Sequence, residues 1–352
     1  MVWSFSTLRV DKIDKVENAG NLRTLTDRKL AGLVAGVVAL SVLVAGCGGS
    51  DSTRLSLVAY STPQEAYEGL VPAFQKTDAG KDVGFSQSYG ASGDQERAVE
   101  AGLDADVVAL SLAPDIEKLV KADKVAADWN KNKYDGFVTN SVVVLATRKG
   151  NPENIRGWDD LIKPGVEVIT PNPFTSGGAR WNVMAAYGAQ LEQGKSEQEA
   201  LDYLNKLFEN VAVQDKSARE SLQTFTGGKG DVLISYENEA ITARDKGEDL
   251  DYVIPEQTIL IQNPAAVTTD SKPAAKSFLD FLWTPEAQKI YASKGYRSVL
   301  RSLADESKFP TPRALFKIDK LGGWSKVTDE FFDPEKGFLV DVEKQKGVPT
   351  EK

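Results

Sequence analysis

Four short stretches that begin with serine or threonine lie where a predicted strand gives way to a predicted helix. The start of a helix leaves several backbone N–H groups without acceptors and carries about half a positive charge. Together with a serine hydroxyl, these groups can hold a small oxyanion without a basic side chain. The four stretches are Ser61-Thr62-Pro63, Ser92-Gly93-Asp94-Gln95, Thr175-Ser176-Gly177-Gly178 and Ser217-Ala218-Arg219-Glu220.

Ser176-Gly177-Gly178 is the strongest of these candidates for an anion site. Two consecutive glycines let the backbone approach a ligand without a Cβ atom in the way, so N–H groups and the serine hydroxyl can converge on one anion. Ordinary helix capping is the alternative interpretation at all four junctions, because serine and threonine are common caps. Ser92 with Gln95, and Ser217 with Glu220, have the spacing of a capping box.

The composition excludes most kinds of catalytic and metal site. The 352 residues include no histidine and one cysteine, Cys47, which excludes Ser-His-Asp and Cys-His catalysis, imidazole zinc sites, cysteine clusters and internal disulfides. The net charge of −9 argues against a nucleic-acid partner. We expect no cofactor, no metal and no enzymatic activity. The alternative class is an exported hydrolase or sulfotransferase with a lysine or carboxylate base, for which Asp159-Asp160 and the pair Glu237 and Glu239 are available.

The N-terminal residues indicate export. Arg28-Lys29 precedes an uncharged run, residues 30–45. As a helix this run would be roughly 24 Å long, shorter than the ~30 Å core of a membrane. The run leads into LVAGC, which resembles a lipobox, the motif whose cysteine becomes the lipidated first residue of an exported protein. We expect a signal peptide in residues 1–46, lipidation of Cys47 and a tether in residues 47–53, with a retained signal anchor as the alternative.

Strands and helices alternate along the rest of the chain, which predicts an α/β fold with mainly parallel sheets and helices on both faces. Roughly 300 residues of this pattern exceed one ordinary core, so we expect two lobes. The predicted strands are residues 55–61, 83–89, 106–112, 141–148, 166–171, 211–215, 231–236 and 252–255, with an extended segment at 258–269. The predicted helices are residues 63–75, 95–102, 114–121, 179–193, 197–210, 220–226, 273–283 and 285–293.

Several long strings carry a family resemblance. VEVITPNPFTSGGARWNVMAAYGAQL, residues 166–191, closely resembles the signature segment of bacterial sulfate/thiosulfate-binding proteins, the solute receptors of ABC importers. SQSYGASGDQERAV (86–99), RKGNPENIRGWDDLIKPG (148–165) and GKGDVLISYENEA (228–240) resemble other segments of that family in the same order. The resemblance covers roughly residues 55–327.

The resemblance implies a two-lobed periplasmic-binding-protein fold of type II that closes on its ligand at a hinge. We assign the first lobe to residues 54–140 and 263–310 and the second lobe to residues 141–262. Residues 311–352 are expected to form a C-terminal tail that packs across both lobes.

The resemblance also implies which groups bind sulfate. Carried over by position, Ser92 supplies a hydroxyl from the first lobe, Ser176, Gly177 and Gly178 supply a hydroxyl and N–H groups from the second, and Ala218 adds an N–H. Two positions depart from the family: Ser61 stands where an aspartate is frequent, and Tyr236 stands where a tryptophan indole is common. Both still offer donors.

Arg180 and Arg219 lie one or two residues beyond the donors that the resemblance implies. We expect both arginines to sit behind the anion, paired with carboxylates such as Asp94, Asp215 or Glu237. Direct pairing of the arginines with the anion is the alternative.

A donor-only site favours sulfate, which carries no proton near neutral pH, over phosphate, whose proton needs an acceptor. The expected function is therefore capture of sulfate, with thiosulfate as a second ligand, and delivery to the membrane permease of an ABC importer. The alternative ligands are molybdate, tungstate and phosphate. We expect a monomer, exported and lipid-anchored to the outer face of the cytoplasmic membrane.

Overall fold

A computed structural model describes residues 53–350 of the chain. The predicted signal peptide, the lipobox with Cys47 and all but the last residue of the tether lie outside the described residues. Within residues 53–350, no helix combines the length and the apolar character needed to cross a membrane.

The described residues alternate between strands and helices much as the sequence predicts. The strands are β1 Thr53–Tyr60, β2 Val83–Gly90, β3 Val107–Ala109, β4 Phe137–Arg148, β5 Val168–Ile169, β6 Val211–Val213, β7 Val232–Tyr236, β8 Leu250–Val253, β9 Gln257–Val267 and β10 Ala314–Phe316. The helices are α1 Gln64–Gln75, α2 Ser92–Glu100, α3 Ala113–Lys121, α4 Gly177–Glu192, α5 Glu197–Glu209, α6 Ala218–Thr226, α7 Glu237–Asp245, α8 Pro273–Leu282, α9 Pro285–Ser293, α10 Gly323–Val327 and α11 Phe338–Gln345.

One sheet runs through the molecule in the order β2-β1-β3-β9-β4-β7-β5-β6, with β10 beside β9 and β8 beside β4. Its two ends, β2-β1-β3 and β7-β5-β6, are parallel, as predicted. The centre is antiparallel, because the two long strands β9 and β4 pair with each other and with β3 and β7. These two strands join the parallel ends of the sheet.

Each parallel end of the sheet has its own helices and its own core. We call β1–β3 with α1–α3, α8 and α9 the first lobe, and β5–β7 with α4–α7 the second lobe. The first lobe's core includes Leu57, Tyr67 and Phe278, whereas Trp158, Trp181, Phe208 and their neighbours fill the second. Burying these two apolar sets separately stabilises two bodies on one sheet.

The C-terminal residues pack onto the core that contains Trp181. Phe316, Phe331 and Val340 belong to that cluster, which also includes Leu112 from the first lobe. Trp324 makes an edge-to-face contact with Trp181, with ring centroids 4.7 Å apart. Strand β10 extends the sheet beside β9.

The predicted strand at residues 106–112 is shorter than expected. β3 ends at Ala109. The Leu110 N–H still donates to the Pro264 carbonyl of β9 at 3.1 Å, but the backbone groups of Ser111 bond to side chains. The carbonyl of Ser111 accepts hydrogen bonds from Trp181 Nε1 and Asn263 Nδ2, each at 3.0 Å. Ser111 consequently lies in the junction between β3 and α3.

Candidate functional site

Helix α4 begins at the predicted Ser-Gly-Gly junction. Ser176 is its N-cap, and the Ser176 hydroxyl accepts a hydrogen bond from the Ala179 N–H at 3.4 Å. Gly177 and Gly178 are the first two helical residues, so their N–H groups have no acceptor within the helix. A Cβ atom on Gly177 would lie 2.7 Å from Ser111 Cβ. The close approach of Ser111 therefore requires glycine at position 177.

Side chains from both lobes converge on these two glycines. A Cβ atom on Gly178 would lie 3.2 Å from Ala218 Cβ, 3.3 Å from Ser176 Oγ and 3.6 Å from Tyr236 Cε1. The Tyr236 and Ser111 hydroxyl oxygens are 2.7 Å apart, a hydrogen bond between the lobes. We call this set the donor cluster: Ser111, Ser176, Gly177, Gly178, Ala218 and Tyr236. Every member is buried.

Ala218 and Tyr236 reach the donor cluster from two further helix starts. Ala218 is the first residue of α6, and the predicted capping box between Ser217 and Glu220 is confirmed. Tyr236 ends β7 immediately before α7. Burial raises the pKa of the Tyr236 hydroxyl well above its usual value, so the hydroxyl keeps its proton and its ability to donate.

Ser92 lies beside the donor cluster, but its hydroxyl is already occupied. The predicted capping by Ser92 is wrong: Ser92 is the first residue inside α2, and Ala91 is the N-cap. The Ser92 hydroxyl donates to Asp115 Oδ2 at 2.7 Å and accepts from the Ser111 N–H at 2.9 Å. The group that Ser92 can offer to a ligand is therefore its own N–H, which has no acceptor within α2.

Ser61 lies at the same edge of the sheet as Ser111. Ala59 of β1 pairs with Ala109 of β3, and each serine follows two residues later. The predicted hydroxyl cap at this junction is wrong, because Pro63 is the N-cap of α1 and no side chain caps that helix. Thr62 Oγ1 is instead 3.2 Å from the Tyr296 hydroxyl.

Arg219 extends away from Ala218 and joins the lobes through ion pairs. It donates to Glu65 Oε2 of α1 at 2.6 Å, to the Thr62 carbonyl at 3.2 Å and to Glu239 Oε1 of α7 at 2.8 Å. Lys246 also contacts Glu65, at 2.5 Å. We call Glu65, Arg219, Glu239 and Lys246 the ion cluster; its formal charges sum to zero.

The prediction that Arg219 pairs with carboxylates is confirmed, but the three carboxylates that we named as examples are not its partners. Asp94 pairs with Arg97, Asp215 accepts from the Thr224 hydroxyl at 3.0 Å, and Glu237 pairs with Arg297 at 2.7 Å. The reason is that the start of α6 faces α1 across the lobe boundary, which brings Glu65 within reach of Arg219.

Arg180 is buried behind the start of α4 without a carboxylate partner, contrary to the prediction. Its Nε donates to the Pro173 carbonyl at 2.9 Å, and its guanidinium lies 5.0 Å from the centre of the Phe332 ring. Its Nη1 has no hydrogen-bond partner among the described residues. Burial lowers the pKa of Arg180, and Asp115 partly opposes that effect.

The ion cluster shifts the titration of Glu65. Burial alone would raise the pKa of Glu65, but hydrogen bonds from Arg219 and Lys246 outweigh it and lower the pKa to about 2. Burial raises the pKa of Glu239 despite the attraction of Arg219. The charge of Glu65 therefore depends on contact between the lobes.

Comparison with known proteins gives the family. Residues 55–297 match a model described as bacterial extracellular solute-binding protein. The sulfate-binding protein of Synechococcus elongatus is 43% identical over 87% of this chain and 94% of its own length. The corresponding values are 40%, 79% and 90% for the Escherichia coli sulfate-binding protein, and 34%, 83% and 91% for the Escherichia coli thiosulfate-binding protein.

The chain belongs to the bacterial extracellular solute-binding proteins. Solved structures confirm the predicted fold. The sulfate-binding protein SubI from Mycobacterium tuberculosis H37Rv is 44% identical, with a TM-score of 0.78 over 80% of this chain and all of that one. The periplasmic binding protein AfuA from Actinobacillus pleuropneumoniae, at 20% identity and a TM-score of 0.59 over 76% of this chain and 90% of that one, shares the fold.

For a solute-binding protein, the donor cluster is the candidate ligand site, because N–H and hydroxyl donors of both lobes meet there. Sequence reasoning missed one member, Ser111. The available signal was a hydroxyl between an apolar strand and the proline-containing start of α3, the same pattern as at Ser61. Extending the predicted strand to residue 112 concealed it.

The carboxylates proposed for an alternative hydrolase are engaged elsewhere in this solute-binding protein. Glu237 is held by Arg297, and Glu239 by Arg219. Asp160 accepts from the Arg156 N–H at 2.7 Å and pairs with Lys163. Among residues 53–350, no group of three or more histidine, cysteine, aspartate or glutamate residues is arranged to hold a metal ion.

Proposed function

We propose that this solute-binding protein captures sulfate, with thiosulfate as a second ligand, and delivers it to the permease of an ABC importer without catalysing a reaction. The observation that carries the proposal is the donor cluster, in which hydroxyl and N–H groups of both lobes surround Gly177 and Gly178. The names of its sulfate-binding and thiosulfate-binding relatives support the same ligand class.

The protein groups that we propose bind the anion are neutral hydrogen-bond donors. Gly177, Gly178 and Ala218 offer N–H groups at the starts of α4 and α6, and Ser176 and Tyr236 offer hydroxyls. Ser92 and Ser61 complete the set from the first lobe, where Ser92 acts through its N–H and Ser61 through its N–H and hydroxyl. Arg180 and Arg219 stay outside the set, because Arg219 is engaged with two glutamates and Arg180 points toward Pro173 and Phe332.

The acids around the donor cluster support a fully ionised ligand. Glu65, Glu239 and Glu237 have arginine partners, and Asp115 accepts from Ser92 and lies 3.6 Å from Lys118. A protonated anion such as hydrogen phosphate would need a free acceptor, whereas sulfate needs donors only. Lobe closure would remove water from the bound anion and strengthen each of its contacts with backbone dipoles.

A binding panel tests the proposed ligand. Calorimetry with sulfate, thiosulfate, molybdate and phosphate should give the tightest binding for sulfate or thiosulfate, with an affinity that stays constant from about pH 5 to 8. Tighter binding of molybdate or phosphate would contradict sulfate as the ligand. Turnover of a sulfate ester by the same preparation would contradict the absence of catalysis.

We also propose lobe boundaries and an oligomeric state for the protein. Residues 54–140 with 263–310, and residues 141–262, form the lobes, so that the chain crosses between them within β4 and β9. The tail, residues 311–352, packs across both lobes, and the protein is a monomer. Sedimentation should give a single monomeric species.

We also propose that residues 1–46 are removed as a signal peptide and that Cys47 carries the lipid that anchors the protein outside the cytoplasmic membrane. The LVAGC string supports this assignment. Mature protein from the membrane fraction should have lipid-modified Cys47 as its first residue by mass spectrometry. An unmodified Cys47, or a Cys47→Ala variant that stays in the membrane fraction, would contradict the anchor.

A further inference from the structure

Ser111 is the least expected member of the donor cluster, and its backbone is fixed on every side. Its N–H donates to Ser92 Oγ at 2.9 Å, and its carbonyl accepts from Trp181 and Asn263 at 3.0 Å each. These partners come from α2, α4 and β9 and therefore from both lobes and a crossing strand. The hydroxyl is the one polar group of Ser111 that this network leaves to the ligand side.

The Ser111 hydroxyl meets Tyr236 across the lobe boundary. Ser111 and Tyr236 are each only 1% exposed, and their hydroxyl oxygens are 2.7 Å apart. A Cβ atom on Gly177 would lie 2.8 Å from Ser111 Oγ, and one on Gly178 would lie 3.6 Å from the Tyr236 ring. The hydroxyl pair therefore borders both glycines whose N–H groups are the proposed anion donors.

At this distance one hydroxyl donates an ordinary hydrogen bond to the oxygen of the other. The hydroxyl that accepts this hydrogen bond keeps its own proton free to donate elsewhere. Accepting a hydrogen bond also strengthens the next donation, because linked hydrogen bonds polarise one another. A phenol is a stronger donor than an aliphatic alcohol, so the favoured order is Ser111 to Tyr236 to ligand.

We propose that Ser111 is a positioning residue for the anion, which orients and polarises the Tyr236 hydroxyl so that the two act as one donor across the cleft. This inference rests on the proposed function, since it assigns a role at the same site. It also accounts for a tyrosine at the position where a tryptophan is common. The donating oxygen of Tyr236 lies at the end of the ring, and the hydrogen bond with Ser111 holds that oxygen in place.

A double-mutant cycle tests the pair, with affinities measured by calorimetry for the anion that the wild-type protein binds most tightly. Tyr236→Phe should weaken binding about 10- to 100-fold, the usual range for a buried hydrogen bond to a charged group. Ser111→Ala should weaken binding by roughly 3- to 10-fold, because Tyr236 remains but loses its hydrogen bond with Ser111. The double variant should bind no more weakly than Tyr236→Phe alone.

Ser141→Ala is the matched control. Its hydroxyl is fully buried and donates to Asn238 Oδ1 at 2.9 Å, outside the donor cluster. The control should lower the melting temperature of the ligand-free protein and leave anion affinity within about twofold. Ser111→Ala should instead reduce the anion-induced rise in melting temperature, a change that loss of a merely structural contact would not produce.

The outcomes separate the two proposals. Unchanged affinity in Ser111→Ala, or losses that multiply in the double variant, would overturn the role of Ser111 while sulfate binding by the wild-type protein stands. A wild-type preference for another tetrahedral anion would overturn the sulfate assignment, and the same cycle would still test Ser111 with that anion. A wild-type protein that binds none of the four anions overturns both.

Discussion

The donor cluster and the ion cluster lie side by side at the lobe boundary, since Ala218 belongs to one and Arg219 to the other, yet their chemistry is opposite. The donor cluster has no formal charge and presents helix starts and hydroxyls. The ion cluster combines two basic and two acidic side chains that satisfy one another between α1, α6 and α7.

The difference in chemistry indicates that the two clusters have different roles. Full charges that pair across the boundary hold the lobes together, and their zero sum means that the two basic side chains of the ion cluster are already paired with carboxylates. Local dipoles at helix starts hold the anion itself. Substitutions in the donor cluster should therefore change which anion binds and how tightly, whereas substitutions in the ion cluster should change how firmly the lobes stay closed.

The largest effect is expected from Gly177→Ala. The new Cβ atom would lie 2.7 Å from Ser111 Cβ, so the helix start must move away from the first lobe. Overpacking of this kind costs about 1–3 kcal/mol, and the displaced N–H groups add to the loss, so we expect roughly 3 kcal/mol weaker sulfate binding by calorimetry. Gly157→Ala is the control, because a Cβ atom there meets nothing within 4 Å. Equal affinity in both variants would remove Gly177 from the site.

Ser176→Ala should have the next largest effect, weakening sulfate binding by roughly 1–3 kcal/mol through loss of a hydrogen bond to a charged group. Ser196→Ala is a matched control, since Ser196 caps α5 in the same way but lies outside the donor cluster. Both variants should lower the melting temperature of the ligand-free protein, because both remove a helix cap. Unchanged sulfate affinity in Ser176→Ala would contradict the site assignment.

Glu65→Gln should have a smaller effect, about 1 kcal/mol in sulfate affinity, because Arg219 keeps Glu239 as a partner and Lys246 is partly exposed. We expect the weaker affinity to arise from faster dissociation of sulfate, measured by stopped-flow tryptophan fluorescence. The preference for sulfate over phosphate should be unchanged. A change in that preference would mean that the ion cluster takes part in anion recognition. Glu256→Gln, which disrupts an exposed pair with Arg313, is the control.

The smallest effect concerns acid stability. The pKa of Glu65 is lowered to about 2 in the folded protein, against an ordinary value of 4.5. A lowered pKa contributes stability that is present above pH 4.5 and is lost as pH falls toward 2. Between pH 5 and pH 3, the melting temperature of the wild-type protein should therefore fall further than that of Glu65→Gln, as measured by calorimetric scans. Parallel losses would show that Glu65 does not carry this stability.

Local sequence patterns predicted the junctions where backbone chemistry dominates. The capping box at Ser217 depends on residues within one helical turn and formed as predicted, and α4 begins at the predicted Ser-Gly-Gly junction, two residues before the predicted helix start at 179. Ser92 was different, because its hydroxyl is taken by Asp115, 23 residues away, instead of capping its own helix. That competition depends on how α2 packs against α3, which spacing along the chain does not encode.

Contacts between the lobes were the least predictable part of the molecule. Arg219 contacts Glu65, which lies 154 residues away in the sequence, and Ser111 contacts Tyr236, which lies 125 residues away. Both pairs exist because β4 and β9 fold the chain back so that the ends of β1, β3 and β7 share one edge. The sequence indicated which residue types could donate, and the crossing strands decided which of them meet.

The most direct test of the central claim is a calorimetric titration of the wild-type protein with sulfate from pH 5 to 8, in buffers of different ionisation enthalpy. Neutral donors that hold a fully ionised anion predict one site, constant affinity and no proton taken up or released. Proton uptake on binding, or sulfate affinity that falls as pH rises across this range, would show that a titrating group holds the anion and would contradict the account.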